Sequence, residues 1–284
     1  MTDAPARAAV TDGIPLRREL ECARRLAVAA GDAAMRHYGS ALPELKSCDS
    51  PVTIADRAAN DVIVRGLAAE FPADAILSEE SADSPARLAA RRVWVVDPLD
   101  GTKEFLAQNG EFSIMIGLAI DGAAHLGVVY APATRTLYSA VSGGGAVVER
   151  DGVAHPLRRE APQGSLRLVG SRSHADPRVT AIQRALAIDV TRPSGSVGIK
   201  CALIAEDECD LYVHPVPYMK EWDTCAPEVI LSEAGGVVVD CHGDPLRYNK
   251  PDPRQPQGIL AAAPEVLERV LDTVRSVAAP ALAG

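Results

Sequence analysis

Val93-Trp94-Val95-Val96, four residues of strand-like character, run directly into Asp97-Pro98-Leu99-Asp100-Gly101-Thr102. Two carboxylates at the end of a buried strand are an unfavourable arrangement, because burial disfavours each charged form and like charges repel at short range. A positive partner is therefore expected. Pro98 lacks an amide donor and fixes its own φ, which predicts that the chain turns between the two aspartates instead of continuing the strand. Asp97, Asp100 and the Leu99 carbonyl would then face one small volume with the hard oxygen ligands that Mg²⁺ selects. Gly101 allows close backbone approach, and the Gly101 and Thr102 amides at the first turn of a following helix favour an anion. Cations and phosphate would meet here. The same residues also suit an ordinary turn, and the rest of the chain has to decide between the two readings.

Other acids bear on that decision. A helix over Thr53 to Phe71 carries Asp56 in its first turn, where a carboxylate suits the helix dipole whether or not it has chemistry to do. The short strand Ala75-Ile76-Leu77 runs into Ser78-Glu79-Glu80-Ser81. Glu79 and Glu80 could be a solvated loop, but two strands that each deliver acids at their ends point to a shared site. Glu221-Trp222-Asp223-Thr224 opens a helix closed by Ala234-Gly235-Gly236, where Asp223 by itself reads as a cap. Lys46, Arg172 and Lys200 are the candidate cations for a substrate; each could equally be a solvated charge, least so Lys200, which sits in an otherwise apolar helix. His174 reads equally well as a loop residue.

The elements that must position these groups fall into two patterns. Leu16 to Tyr38 reads as an amphipathic helix with Leu20, Ala23, Ala27 and Ala30 on one face and Gly39 as its stop. A loop from Ser40 to Pro51 leads to the second helix, which Pro72 ends. Beyond the central motif, 112–119, 126–130, 136–141 and 145–149 read as consecutive antiparallel strands. Gly143-Gly144-Gly145 is a strand turn, since no helix start or lysine follows as in a nucleotide-binding loop. From about Pro162 strands and helices alternate, as in an α/β layer. The expected division is a lead-in over 1–15, an α+β half over 16–158 that holds the metal site, and an α/β half over 159–284 that completes it.

Composition restricts the partners. Apolar residues at 47% and charged residues at 24% are those of an ordinary globular protein. The net charge of −9 argues against a nucleic-acid polymer or an anionic membrane as partner, but not against a small phosphorylated substrate met by metal ions. Six scattered cysteines without a C-x-x-C pair suggest reduced thiols and a cytoplasmic location. No secretory pattern and no run of about 18 apolar residues is present, so no membrane span is expected.

With these pieces in order, the sequence resembles the inositol monophosphatase superfamily of metal-dependent phosphatases. The resemblance rests on Trp94 to Thr102, Ser78-Glu79-Glu80-Ser81, Asp56, Trp222-Asp223 and Ala234-Gly235-Gly236, and spans roughly residues 16 to 275. Lys103-Glu104-Phe105, Ser171-Arg172-Ser173-His174 and Gly195-Ser196…Lys200 are similar to the 3′(2′),5′-bisphosphate nucleotidase branch. The resemblance implies a layered αβαβα sandwich and two Mg²⁺ held by Glu79, Asp97, the Leu99 carbonyl, Asp100 and Asp223, with Glu79 and Asp56 near a third. It implies that Gly101 and Thr102 bind the scissile phosphate and that Ser173, His174, Ser196 and Lys200 line a nucleotide pocket.

Two segments depart from the branch. The chain has Gly195-Ser196-Val197-Gly198-Ile199-Lys200 where Gly-Ser-Ser-Leu-Lys is common, and Tyr212-Val213-His214 where Tyr-x-Arg is common.

Hydrolysis of a phosphate monoester dianion needs acceleration of up to ~10²¹-fold, which paired cations can supply without a covalent nucleophile. The expected reaction is removal of the 3′-phosphate from 3′-phosphoadenosine 5′-phosphate, in the service of sulfur assimilation. A metal-activated water would attack directly, oriented by Glu79 and by a Thr102 hydroxyl paired with Asp56. Inositol 1-phosphate, other sugar phosphates and histidinol phosphate are the alternative substrates. A regulatory metal- or phosphate-binding protein without turnover is disfavoured, because Glu79 and Thr102 would then be dispensable. A homodimer is compatible with the reading.

Overall fold

The structure, a computed structural model, describes residues 16–45, 51–173 and 176–278. The expected lead-in, Lys46 and His174 lie outside the described residues. The chain opens with α1 (Arg17–Met35), the short antiparallel pair β1 (Glu44–Leu45) and β2 (Pro51–Val52), and α2 (Ile54–Glu70). There follow β3 (Ala75–Ser78), β4 (Arg92–Asp100), α3 (Thr102–Leu106), β5 (Ser113–Ile120), β6 (Ala123–Ala131), β7 (Thr136–Val141), β8 (Ala146–Arg150) and β9 (Val153–Leu157). The seven strands β3 to β9 form one sheet in chain order, parallel only between β3 and β4. β9 was not anticipated; four of its five residues are exposed, so it carries no apolar alternation to read.

The second sheet is assembled from β10 (Arg167–Ser171), β11 (Val190–Ser194), β12 (Leu211–His214), β13 (Val237–Val239) and β14 (Ile259–Ala262), in the order β11-β10-β12-β14-β13. Between them run α4 (Pro177–Ala185), α5 (Val197–Ala205) and α6 (Glu221–Glu233), and α7 (Leu267–Ala278) closes the described chain. The helices α1 and α2 cover the outer face of the large sheet, α5 and α6 fill the space between the sheets, and α4 and α7 cover the outer face of the small sheet. The result is the expected αβαβα sandwich.

Strand β4 shows how the sequence builds this. Trp94 and Val96 enter the core beneath α1 and α2, whereas Val93 and Val95 enter the core shared with α5 and α6. A strand covered on both faces reads as an unbroken apolar run. Each such large side chain, fully buried, contributes about 1.5–3 kcal/mol. The middle layer packs closely because Gly117 and Gly127, directly paired across β5 and β6, present no side chains to α6. A Cβ at Gly127 would lie 2.2 Å from the Ala226 carbonyl oxygen, and one at Gly117 would lie 2.6 Å from Cys225 Sγ. The five cysteines among the described residues are all free and buried.

Candidate active site

The expected turn at Pro98 is not what forms. β4 continues through Pro98 and Leu99 to Asp100, and its pairing with β5 slips by one residue, from Asp97 opposite Met115 to Asp100 opposite Ser113. The slip is a bulge, which Pro98 accommodates because a bulged residue need not donate to the ladder. Its consequence is geometric. Residues three apart on a regular strand face opposite sides of the sheet, and the extra residue in the bulge turns Asp97 and Asp100 to the same side. The Leu99 amide donates to Asp97 Oδ1 at 3.0 Å and fixes the first carboxylate.

The third carboxylate comes from the first turn of α6, drawn close to the sheet at Gly117 and Gly127. Ligand oxygens of Asp97, Asp100 and Asp223 lie within 4.8 Å of one another. Glu79 reaches the same place by register: Ser78 pairs with Val96, and the Glu79 amide donates to the Val96 carbonyl at 3.2 Å. Glu79, Asp97, Leu99, Asp100, Gly101, Thr102 and Asp223 all line one cavity of about 730 Å³.

Burial, with Glu79, Asp100 and Asp223 around it, holds the Asp97 carboxyl well above the usual carboxylate range. Burial also raises Asp223, reinforced by Asp100 and Glu79. Asp100 is raised by burial but opposed by Lys200, by the Ser196 hydroxyl and by two backbone amides. Those opposing groups form a cradle at the start of α5: Ser196 Oγ and the Val197 amide each donate to Asp100 Oδ2 at 2.5 Å, and the Gly198 amide at 3.3 Å. Closely spaced buried carboxylates of this kind are the donor set of a hard divalent cation, so the residues present fit Mg²⁺.

Asp56 resolves into both of its readings at once. Its Oδ2 accepts from the Thr53 amide and hydroxyl, each at 2.7 Å, which caps α2, and its Oδ1 accepts from Thr102 Oγ1 at 3.0 Å. Gly101 has φ +98°, and a Cβ there would also meet the Glu111 carbonyl at 3.0 Å. The first α3 bond runs from the Phe105 amide to the Gly101 carbonyl, and Gly101, Thr102, Lys103 and Glu104 of this first turn line the cavity.

Three expectations are corrected in detail. Pro98 bulges the strand instead of ending it. Ser196 does not line the cavity; it is fully buried, donating to Asp100 while bonded to Ser113 Oγ at 2.7 Å. Arg172 does not line the cavity, and both Glu111 oxygens accept from its guanidinium at 2.6 Å. Lys200 does line the cavity, with its ammonium donating to the Gly195 carbonyl and lying 5.2 Å from the centre of the Tyr212 ring. Ser173 also lines it and donates to Glu104. Glu104, a buried acid on the cavity wall, was missed as a site residue. The signal was its place four residues after Asp100 at the start of a short helix. Tyr212 and His214 of β12 and Val216, Tyr218 and Met219 of the loop after it supply an aromatic and apolar part of the wall, with Ser171 and Asp176 also on the lining.

Fold and site together define a two-sheet sandwich that gathers acids from three distant segments at the bulged end of a central strand. The chain belongs to the inositol monophosphatase family, whose model matches residues 16–279. Within it, the chain is 42% identical over 235 residues to the 3′(2′),5′-bisphosphate nucleotidase CysQ of Salmonella typhimurium, covering 81% of this chain and 93% of the relative. It is 32% identical over 237 residues to the 3′-phosphoadenosine 5′-phosphate phosphatase of Mycobacterium bovis, covering 80% and 85%. The crystal structure of CysQ from Bacteroides thetaiotaomicron superposes with a TM-score of 0.76 at 34% identity, covering 87% of this chain and 97% of that one.

Proposed function

We propose that this chain is a Mg²⁺-dependent phosphatase that removes the 3′-phosphate from 3′-phosphoadenosine 5′-phosphate. The observation that carries the reading is the meeting of Asp97, Asp100 and Asp223 within 4.8 Å, in a cavity that is also lined by Tyr212, Val216, Tyr218 and Met219. The acids suit a phosphoryl group with its cations; the wall formed by Tyr212, Val216, Tyr218 and Met219 suits a nucleobase, which a polyol phosphate does not need. The names of the relatives point to the same substrate class.

Asp97, Asp100, Asp223, Glu79 and the Leu99 carbonyl would hold the cations. When bound, these supply Lewis acidity toward the phosphoryl oxygens and make water acidic enough to attack. The protein's own groups do the rest. The backbone at Gly101 and Thr102 receives phosphoryl oxygens at the opening of α3. Thr102, with its proton donated to Asp56, presents oxygen lone pairs that can accept from a water, and Glu79 offers a second acceptor. Lys200 and the α5 cradle oppose the upward push of burial on Asp100 and orient its carboxylate. The apolar part of the wall removes water from around the adenosine of the leaving nucleotide.

Phosphate release from 3′-phosphoadenosine 5′-phosphate and from inositol 1-phosphate, measured side by side with Mg²⁺ and with chelator, tests this. A Mg²⁺-dependent preference for the nucleotide is expected. A higher kcat/KM for inositol 1-phosphate would remove the nucleotide assignment and leave the phosphatase.

A further inference from the structure

A second buried polar cluster lies beside the acids and contributes no ligand to them. Residues 240–258 join β13 to β14 as a strap along one face of α6, the face that carries Glu221, Thr224 and Glu228 at helical spacing. Tyr248 donates to Thr224 and to Glu228, Gln255 donates to Thr224 at 3.3 Å, and the Glu221 amide donates to the Pro253 carbonyl at 2.8 Å. The amides of Asn249 and Lys250 donate to the two Glu221 oxygens at 2.6 and 2.9 Å.

Asn249 continues the chain of bonds in the other direction. Its side chain accepts from Arg87 Nη1 at 2.9 Å and donates to the carbonyls of Arg87 at 2.9 Å and Ala90 at 3.2 Å. Arg87 in turn donates to both oxygens of Asp83, at 2.7 and 2.9 Å. Arg87 and Glu221 are buried, and Asn249 has φ +58°, a left-handed conformation that asparagine tolerates better than most residues. Asn249 therefore ties the segment that follows Glu79 to a residue two positions ahead of Asp223.

The geometry points to Arg87, Asn249 and Glu221 as a joint that positions the metal site, resting on the metal-dependent reading above. Asp97 and Asp100 are fixed by their strand and its bulge. Glu79 stands one residue past β3, held to β4 by its amide, and Asp223 stands at the N-terminus of α6. No sheet ladder links α6 to these strands, and the joint connects the segment that follows Glu79 to the start of α6. Groups behind metal ligands change metal affinity by about 10- to 100-fold when removed.

Asn249→Gly tests the joint, because glycine keeps the left-handed backbone while deleting the three side-chain bonds. Calorimetric Mn²⁺ titration of the metal-stripped protein should show binding weakened by about 10-fold, with the half-saturating Mg²⁺ rising in parallel and kcat at saturating Mg²⁺ falling less than about 3-fold. Arg87→Met should weaken Mn²⁺ similarly, and the double variant should be no worse than the weaker single, since both break one connection. Ile182→Val, on the buried face of α4, lowers the melting temperature without touching the joint and should leave Mn²⁺ affinity unchanged. Wild-type Mn²⁺ affinity in both joint variants, or additive losses in the double variant, would overturn the joint while the phosphatase reading stands. Failure of the wild type to bind Mn²⁺ or release phosphate would overturn both.

Discussion

Two buried polar clusters sit side by side at the start of α6, and they are built on opposite principles. In the Arg87, Asn249 and Glu221 cluster each charge meets an opposite charge or several amides, and each amide group is bonded. The Asp97, Asp100 and Asp223 cluster places three like charges together, with Lys200 opposing only part of them. A self-satisfied network gives rigidity, whereas an unbalanced cluster of acids has the chemistry of a cation site, and the balanced cluster connects the elements around it.

The comparison can be broken most directly at Asp97. Asp97→Asn should lower phosphate release by about 10³-fold or more, because a ligand to the cations that stabilise transition-state charge is lost. It should also abolish the rise in melting temperature that Mg²⁺ gives the wild type, and a variant that keeps either property would remove Asp97 from the site. Arg87→Met acts on the balanced side. It strands the Asn249 carbonyl and unpairs Asp83, so chemical denaturation should show a loss of about 3 kcal/mol.

Glu228 sharpens the contrast through pH. Burial pushes its carboxyl from 4.5 up to about 7, so the folded state binds a proton that the unfolded state has released between those values. Stability from this group is complete below about pH 4.5 and is lost as pH rises through 7, amounting to about 3 kcal/mol by pH 8. Glu228→Gln should flatten that slope in melting temperatures measured from pH 5 to 8. The smallest effect is expected for metal-free Asp97→Asn at pH 8. With one buried charge removed it should melt slightly above the wild type, by about 1 kcal/mol, whereas Arg87→Met melts below it with or without metal.

Much of this was legible in the sequence wherever a single element carried the information. The unbroken apolar run of β4, the start of α2 at Thr53, and Gly143 to Gly145 as a turn between β7 and β8 follow from local periodicity and backbone preference. The bulge was not legible. Asp-Pro-Leu-Asp satisfies the rules for a turn and for a bulge equally, and only pairing with β5 selects the second. Arg172 read as a cation for substrate because its partner Glu111 lies 61 residues away in the chain. Ser196, placed in the pocket by the family resemblance, instead bonds Asp100, which lies 96 residues away in the chain and which nothing near Ser196 in sequence announces. The strap over α6 has no periodicity at all, being Pro-, Gly- and charge-rich.

The sequence by itself determined which groups were available: carboxylates at strand and helix ends, a glycine that lets the backbone turn beside them, and two apolar faces along β4. These depend on residue type and on spacing within a few positions. Tertiary structure decided which acids meet, which hydroxyls and cations are consumed in holding them, and which wall faces the substrate. Such distances are set by sheet register and helix packing between segments up to 162 residues apart, as Arg87 and Asn249 are, and no local pattern encodes them.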